Sequence, residues 1–211
     1  MSINLSKGGS VNLKKEAPNL KRLKIGLGWD PVGQAGNGLI GFGLGLLGRA
    51  GSGQDFDADA SVICIRPDGR HESTIYFGKK RHSSGAIIHS GDNLTGVGAG
   101  DDEQIQIMLD QVPATVDKMV IIVNIYEAHI RGQHFGKVKN CFVRAEDMDT
   151  GKELVKYQIS DDKTTNPDYN GMTGIFFAEV YRYKGEWKFR AVGQGVNVRS
   201  IRDMERMKCN P

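Results

Sequence analysis

Short stretches of alternating apolar and polar residues run along most of the chain and predict β-strands. Gln104–Leu109 carries an aliphatic residue at every second position, so these side chains share one face. Lys118–Tyr126 (KMVIIVNIY) is mostly apolar and β-branched, as expected of a strand buried on both faces. Ile175–Tyr183 and Glu186–Val192 are separated by Lys184–Gly185, which predicts a β-hairpin. The other predicted strands are Val11–Leu13, Arg22–Leu27, Ala60–Ile65, Ser73–Phe77, Cys141–Ala145 and Glu153–Ile159.

These strands predict an all-β fold. Sustained helical periodicity is absent, and we expect at most single helical turns at Pro113–Asp117 and Phe135–Asn140. About ten short strands without intervening helices are typical of an antiparallel β-sandwich of two sheets rather than of an alternating α/β fold. We expect a single domain over residues 1–211, with a variable tail at 196–211.

A glycine-rich apolar segment interrupts this pattern at about residues 31–53 and is interpreted as a loop insertion. Gly33–Gly53 (GQAGNGLIGFGLGLLGRAGSG) has too many glycines for a stable helix and is too short to span a bilayer. Two interpretations stay open: a mobile surface loop, or a loop whose apolar side chains contact a partner or a membrane. The candidate contact residues are Leu39, Ile40, Phe42, Leu44, Leu46 and Leu47.

The composition indicates a soluble protein in a reducing compartment. The net charge of +3 at pH 7 is too small to argue for nucleic-acid binding. The three cysteines are widely separated and form neither a disulfide framework nor a zinc-binding spacing. The N-terminus lacks the features of a signal peptide, and no apolar stretch reaches the ~20 residues of a membrane-spanning helix. We therefore expect a cytoplasmic location.

Acidic residues are concentrated in two segments, and neither segment contains a lysine or an arginine. In Gln54–Ser61 (QDFDADAS) three aspartates alternate, so an extended backbone projects their carboxylates from one face and Phe56, Ala58 and Ala60 from the other. Like charges a few ångströms apart repel by roughly 3–4 kcal/mol at an effective dielectric constant of about 20, unless a cation lies between them. The alternative is a solvent-facing strand edge. The candidate ligands are Asp55, Asp57 and Asp59.

The second acidic segment, Gly91–Glu103 (GDNLTGVGAGDDE), combines carboxylates with glycines that allow backbone carbonyls to join a shell of roughly 6–8 oxygens. The spacing resembles an EF-hand only at its ends, and an acidic hairpin loop is the alternative. Glu127, after an apolar run, and Asp30 are further candidates, with a solvated strand end as the alternative. Hard oxygen donors favour Ca2+. The candidates in this segment are Asp92, Asn93, Gly98, Gly100, Asp101, Asp102 and Glu103.

With these motifs in place, the chain resembles the TerD family of tellurite-resistance and stress proteins. The matching motifs include Leu5–Gly9 (LSKGG), Ala17–Leu20 (APNL), Gly26–Asp30 (GLGWD), Asp55–Ser61 (DFDADAS), His89–Glu103 (HSGDNLTGVGAGDDE), Arg131–Gly136 (RGQHFG) and Gly185–Gly195 (GEWKFRAVGQG). The resemblance implies a β-sandwich that binds Ca2+ through the two acidic segments at two adjacent sites. It also implies a bacterial role in resistance to tellurite and other chemical stresses. A membrane-associated or other stress-response partner, met at the inner face of the membrane, is implied as well.

Two features depart from the family pattern. Val97 and Ala99 stand where family members often carry acidic residues, which should weaken the site or shift ligand roles to backbone carbonyls. The insertion Gly33–Gly53 also exceeds the usual link between its neighbouring motifs.

The leading interpretation is a non-enzymatic Ca2+-binding protein or adaptor, because no catalytic constellation is recognisable. The alternative is a metal-dependent enzyme, or a binder of a phosphorylated or nucleotide ligand. In that alternative Asp57 and Asp102 hold Mg2+, and Lys79 or Arg131 faces a phosphate.

Overall fold

Two β-sheets of six strands each form the structure, and their inner faces pack against each other. The computed structural model describes residues 2–31, 56–90, 101–159 and 167–209, without the side chains of Asp30, Pro31 and Pro167. The strands are β1 (Ile3–Leu5), β2 (Ser10–Asn12), β3 (Arg22–Pro31), β4 (Ala58–Ile65), β5 (His71–Ile75), β6 (Ile87–His89), β7 (Glu103–Met108), β8 (Lys118–Ile125), β9 (Val138–Asp147), β10 (Lys152–Gln158), β11 (Gly174–Tyr183) and β12 (Glu186–Val196). The helices are α1 (Leu13–Glu16), α2 (Ala128–Arg131) and α3 (Ile201–Lys208).

The strand pairing confirms the predicted two-sheet sandwich. The first sheet has the order β1-β10-β9-β3-β7-β6, and the second has the order β2-β12-β11-β8-β4-β5. The pairs are antiparallel apart from β1 and β10, which run parallel. The predicted antiparallel sandwich is confirmed, with one parallel pair at the edge of the first sheet.

Every strand predicted from alternation is present, although the ends differ by a few residues. The hairpin at Lys184–Gly185 is confirmed, and both residues have the positive φ that a two-residue turn requires. Leu13 begins α1 instead of continuing β2, because the Asn12 side chain accepts hydrogen bonds from the first turn. Pro113–Asp117 is not helical, whereas Phe135–Lys137 forms a 3-10 turn before β9. Three residues give weak evidence of alternation, so that β2 was predicted but β1 and β6, of the same length, were not.

β4 and β8 are buried on both faces, as the apolar run in Lys118–Tyr126 predicts. Their inward side chains, such as Ala60 and Ile121, belong to the core between the sheets. Their outward side chains, such as Ile63 and Val120, pack around Met204 of α3. The outer face of the second sheet therefore carries a third layer.

α3 corrects the expectation that the chain contains no helix longer than one turn. The helix lies within the segment that was predicted to be a variable tail, 196–211. Its start is fixed by Asp203, whose carboxylate accepts hydrogen bonds from the backbone N–H and the hydroxyl of Ser200 at 3.0 and 3.1 Å. This spacing of Ser and Asp was the available signal, because eight residues are too few to show a convincing period.

Several connections meet at one end of the sandwich, which we call the acidic end. β3, β6 and β8 end there, and β4, β7 and β9 begin there. The pairs that fix this arrangement are Leu27 with Glu103, Pro31 with Val138, Ala58 with Ile125, and His89 with Ile105. The acidic end comprises the described residues 29–31, 56–60, 101–103 and 124–131. Residues from both acidic segments therefore reach the same end of the molecule.

The third layer gives a stability prediction. Replacing Met204, which is fully buried, with Ala should lower the free energy of unfolding by roughly 2–5 kcal/mol, because it leaves a cavity under α3. Met207→Ala in the same helix is the control, since Met207 is 56% exposed, and its effect should stay within about 0.5 kcal/mol. Urea denaturation measures both values. Equal effects of the two substitutions would contradict the packing described.

Candidate metal centre at the acidic end

The predicted ligands divide into those that the structure describes and those that it does not. The backbone of Asp30 lies in β3 and pairs with Lys139. The side chain of Asp30 is not among the described parts of the structure. The candidates outside the described residues are Asp55, Asp92, Asn93, Gly98 and Gly100, together with the apolar set Leu39, Ile40, Phe42, Leu44, Leu46 and Leu47. The candidates with described side chains are Asp57, Asp59, Asp101, Asp102, Glu103 and Glu127.

The two acidic segments meet through one buried hydrogen bond. Glu103 Oε2, at the start of β7 in the first sheet, accepts from the backbone N–H of Ala60 in β4 of the second sheet at 2.7 Å. Ala60 and Glu103 are 43 positions apart in sequence. The described ends of the two acidic segments are therefore direct neighbours across the sandwich.

Glu103 points inward and is paired with a histidine. His89 Nε2 lies 3.2 Å from Glu103 Oε2 and 3.0 Å from the Ala60 carbonyl oxygen, and both charged side chains are fully buried. Burial by itself lowers the pKa of His89. The hydrogen bond and the charge of Glu103, the Ala60 carbonyl and the charge of Asp59 together outweigh burial, so the pKa of His89 is raised.

Asp101 is neutralised on the outer face of the first sheet. Arg144 of β9 donates from Nε and Nη2 to the two carboxylate oxygens of Asp101, at 2.6 and 2.9 Å. The hydrogen bond to Asp101 is the main reason why the pKa of Arg144 is raised. A side chain at Gly26 would overlap the Asp101 carboxylate, so the glycine makes room for this pair. Asp101 therefore has a basic partner from outside its own acidic segment.

Asp102, immediately before β7, forms hydrogen bonds with β3. Its Oδ2 accepts from the backbone N–H of Trp29 at 2.8 Å, and its own N–H donates to the Leu27 carbonyl at 2.7 Å. Burial and then the charge of Asp102 raise the pKa of the Cys141 thiol. Asp102 thus links the residue before β7 to β3 through both its side chain and its backbone.

Asp57 and Glu127 share one arginine near the surface. Arg131 of α2 lies 3.6 Å from Asp57 Oδ2 and 3.9 Å from Glu127 Oε2. Glu127 has a left-handed backbone conformation (φ 50°) immediately before α2, and its side chain is 44% exposed. The charge of Glu127 is the main reason why the pKa of Tyr126 is raised. The pairing of Arg131 with Glu127 is local, four positions apart, whereas its pairing with Asp57 spans 74 positions and gives no signal in the local sequence.

Asp59 and Asn124 form a polar pair on the outer face of the second sheet. They are register partners in β4 and β8, and both are buried, with 4% and 9% of their surfaces exposed. In the described part of the chain, Asn124 Oδ1 has no hydrogen-bond partner, and neither has Ser61 Oγ two residues along β4. Asp59, Asn124 and Glu127 line a cavity of about 620 Å³ that lies beside α2 and the start of α3. An unpartnered buried oxygen beside a buried carboxylate suits a bound cation.

The comparison with known proteins settles the family. The TerD domain family matches residues 1–205. The chain belongs to the TerD family.

Individual relatives agree with this assignment. The chain is 44% identical over 207 residues to the stress response protein SCP2 of Bacillus subtilis (strain 168), covering 97% of this chain and 98% of the relative. It is 41% identical over 198 residues to the tellurium resistance protein TerD of Serratia marcescens, covering 92% and 91%. A crystal structure of a homologue of telluride resistance protein (TerD) from Streptomyces coelicolor A3(2) has the same fold. Its TM-score is 0.65 at 22% identity, over 92% of this chain and 100% of that chain.

Among the residues that the structure describes, no helix is long and apolar enough to cross a membrane.

Several residues of the acidic end were not identified from the sequence. Asn124 could have been found, because an amide within the apolar run of β8 is out of place. Arg144 and His89 gave no local signal, since their acidic partners lie 43 and 14 positions away.

The pairing of Arg144 predicts a large loss of stability. Arg144→Met should lower the free energy of unfolding by roughly 3–5 kcal/mol, because the buried carboxylate of Asp101 loses its counter-charge. Arg22→Met is the matched control, since the pair of Arg22 with Asp149 is exposed and its loss should change stability little. Chemical denaturation compares the two. Restoration of stability by adding Asp101→Asn to Arg144→Met would identify the unpaired charge as the cause.

The raised pKa of His89 predicts a pH dependence of stability in the Ca2+-free protein. A histidine with a raised folded-state pKa contributes stability that is fully present below its unfolded pKa and is lost as pH rises through the folded value. The stability advantage of the wild type over His89→Gln should therefore shrink as pH increases from about 6.5 upward. Denaturation at a series of pH values in chelator measures it. An advantage that grows with pH would contradict the assigned pairing.

Proposed function

We propose that this TerD protein is a non-enzymatic Ca2+-binding protein of the bacterial stress response, and that the ion is held at the acidic end. The observation that carries the proposal is the unpartnered Asn124 Oδ1, buried directly opposite Asp59. A hydrogen-bond acceptor left without a partner in the interior costs roughly 1–3 kcal/mol. A hard cation removes this cost and balances the neighbouring carboxylate in one step.

The proposed ligand set differs from the full list of acidic candidates. Asp59 and Asn124 supply the first oxygens. Asp57, immediately before β4, follows, because Arg131 lies 3.6 Å from its carboxylate whereas Arg144 lies 2.6 Å from that of Asp101. Asp101 and Glu103 are omitted, because their carboxylates are already engaged by Arg144 and His89. Residues outside the described part of the chain would add further oxygens. They are Asp55, Asp92, Asn93, Gly98 and Gly100, and the expectation of two ions depends on them.

The same site supports an adaptor role. Phe77, Tyr126 and Ile130 are among the exposed large apolar residues, and all three line the cavity next to Asp59 and Asn124. Ca2+ at the cavity floor would change the charge under this apolar surface and so its affinity for a partner. We propose that binding of a stress-response partner there links Ca2+ to resistance against tellurite or other chemical stress, as the names of the relatives suggest.

Calcium binding should be visible as stabilisation. Adding Ca2+ to chelator-treated protein should raise the melting temperature, and the same ionic strength of NaCl should not. At roughly a hundredfold excess over Kd the expected stabilisation is about 2.7 kcal/mol.

The substitution Asn124→Leu tests the role of the unpartnered Asn124 Oδ1. It should weaken Ca2+ binding by roughly 10-fold or more in calorimetry.

The metal-free state separates a ligand from a structural residue in this test. Without Ca2+, Asn124→Leu should be as stable as the wild type or more stable, because an unsatisfied buried group has been removed. Asp149→Asn is the control, since Asp149 is exposed and should leave Ca2+ affinity unchanged. Unchanged affinity of Asn124→Leu would contradict the proposed site.

A second candidate function is the metal-dependent binding of a phosphorylated ligand. The observation that favours it is the cavity itself, which is of ligand size and is lined by Arg199 and Arg202 as well as Asp59. A preference for Mg2+ in the same calorimetry, with a phosphate compound bound only in the presence of metal, would select this alternative.

A further inference from the structure

Three side chains that bind transition metals lie together at one side of the sandwich. The Cys64 thiol, the Glu72 carboxylate and the His82 imidazole each place one donor atom within 4.8 Å of the others. Cys64 belongs to β4, five residues beyond Asp59, which corresponds to roughly 16 Å along an extended strand. The cluster is therefore separate from the acidic end.

The three donors come from the facing edges of the two sheets. Cys64 lies in β4 and Glu72 lies in β5, the edge strand of the second sheet. His82 precedes β6, the edge strand of the first sheet. Its backbone N–H donates a hydrogen bond to the backbone carbonyl of Ile87 in that strand. A shared ion would tie together β5 and β6, which are edge strands of different sheets and are not paired with each other in the described part of the chain.

Burial makes this an interior cluster rather than a surface coincidence. Cys64 and His82 are 0% and 2% exposed, and the Glu72 side chain retains 13% exposure. Among the described residues, Glu72 forms no salt bridge with a lysine or an arginine, and its ion-pair partner is His82. Glu72 therefore marks the route by which an ion would enter.

Neighbouring hydroxyls already orient the donors. Ser73 Oγ donates to Glu72 Oε2 at 2.6 Å, and His82 Nε2 lies 2.9 Å from the same oxygen. His82 Nδ1 faces Ser84, with the hydroxyl oxygen at 2.8 Å and the backbone nitrogen at 3.1 Å. The Ser84 backbone N–H donates to His82 Nδ1, so metal binding at Nε2 requires the other tautomer, in which Nδ1–H donates to the Ser84 hydroxyl oxygen.

The donor types select the class of metal. Thiolate and imidazole are poor ligands for Ca2+ or Mg2+ and good ones for Zn2+. Zn2+ bonds of roughly 2.0–2.3 Å in a tetrahedron place donors about 3.3–3.7 Å apart. The donor atoms now lie within 4.8 Å of one another, so the widest separation needs to shorten by no more than about 1 Å. The distance of 2.9 Å between His82 Nε2 and Glu72 Oε2 needs to lengthen by a few tenths of an ångström.

We propose that Cys64, Glu72 and His82 form a Zn2+ site, with water in the fourth position, that fastens the two sheets together. Binding forms Zn–S, Zn–N and Zn–O bonds and releases the thiol proton of Cys64 to solvent. The imidazole proton moves from Nε2 to Nδ1, where it is donated to Ser84 Oγ. Two hydrogen bonds are lost in exchange: the one between His82 Nε2 and Glu72, and the one that the Ser84 backbone N–H donates to Nδ1. Thiolate and carboxylate together balance the two charges of the ion, so the buried site is neutral.

Cobalt substitution tests the site directly, because Co2+ bound to a thiolate in a tetrahedral site is coloured. Reduced full-length protein is titrated with Co2+ in the presence of saturating Ca2+. We expect a thiolate-to-cobalt charge-transfer band and strong visible bands that saturate at one ion per chain and disappear on adding Zn2+. Cys64→Ser should abolish the charge-transfer band. Cys141→Ser and Cys209→Ser are the matched controls and should keep it.

A second variant protects the test against a misfolded Cys64→Ser protein. Glu72→Gln, at the most exposed of the three positions, should retain the charge-transfer band but bind Co2+ roughly 10-fold or more weakly. Asp59→Asn should leave the spectrum unchanged, so failure of this site and failure of the Ca2+ site are distinguishable. No band in the wild type, or a band lost in Cys209→Ser but kept in Cys64→Ser, would overturn the proposal.

Discussion

Burial of carboxylates at one end of a β-sandwich is the constraint on which this structure depends. A carboxylate removed from water is stable only with a counter-charge or with hydrogen bonds directed at its oxygens. Glu103 meets this requirement through the N–H of Ala60 and the imidazole of His89, and in doing so it connects the two sheets. The same contact brings the described ends of both acidic segments together. A fold requirement and a candidate metal centre therefore share one place in the molecule.

Strand alternation sorts the charges of the acidic end into two groups. Glu103 faces inward and Asp101 folds over the outer face of the first sheet at Gly26, and both are paired within the protein. Asp59 faces outward from the second sheet, where the register of β4 and β8 sets it opposite Asn124. Within the described residues, Asn124 Oδ1 is one of the buried polar atoms without a hydrogen-bond partner, and it lies beside a buried carboxylate. Natural proteins keep such a group where a ligand completes it, which is why we assign the ion to this side.

The sequence predicted the fold well where alternation was long enough to detect. The strands from β7 to β12 show a clear period or a continuous apolar run, and the hairpin at Lys184–Gly185 follows from local turn chemistry. β1, β6 and α3 are too short for a period to be visible. The acidic segments could be located from composition. Their neutralisation by Arg144 could not, because that pairing depends on the order of strands in the sheet.

The position of the ion is the most direct test of this account. Crystals grown with Ca2+ should show anomalous density at the acidic end, at roughly 2.3–2.6 Å from Asn124 Oδ1 and from an oxygen of Asp59. The bond of Glu103 to Ala60 and the pair of Asp101 with Arg144 should be unchanged in that structure. Density that lies instead between Asp101 and Glu103, with Arg144 and His89 displaced, would contradict the assignment of roles proposed for these carboxylates.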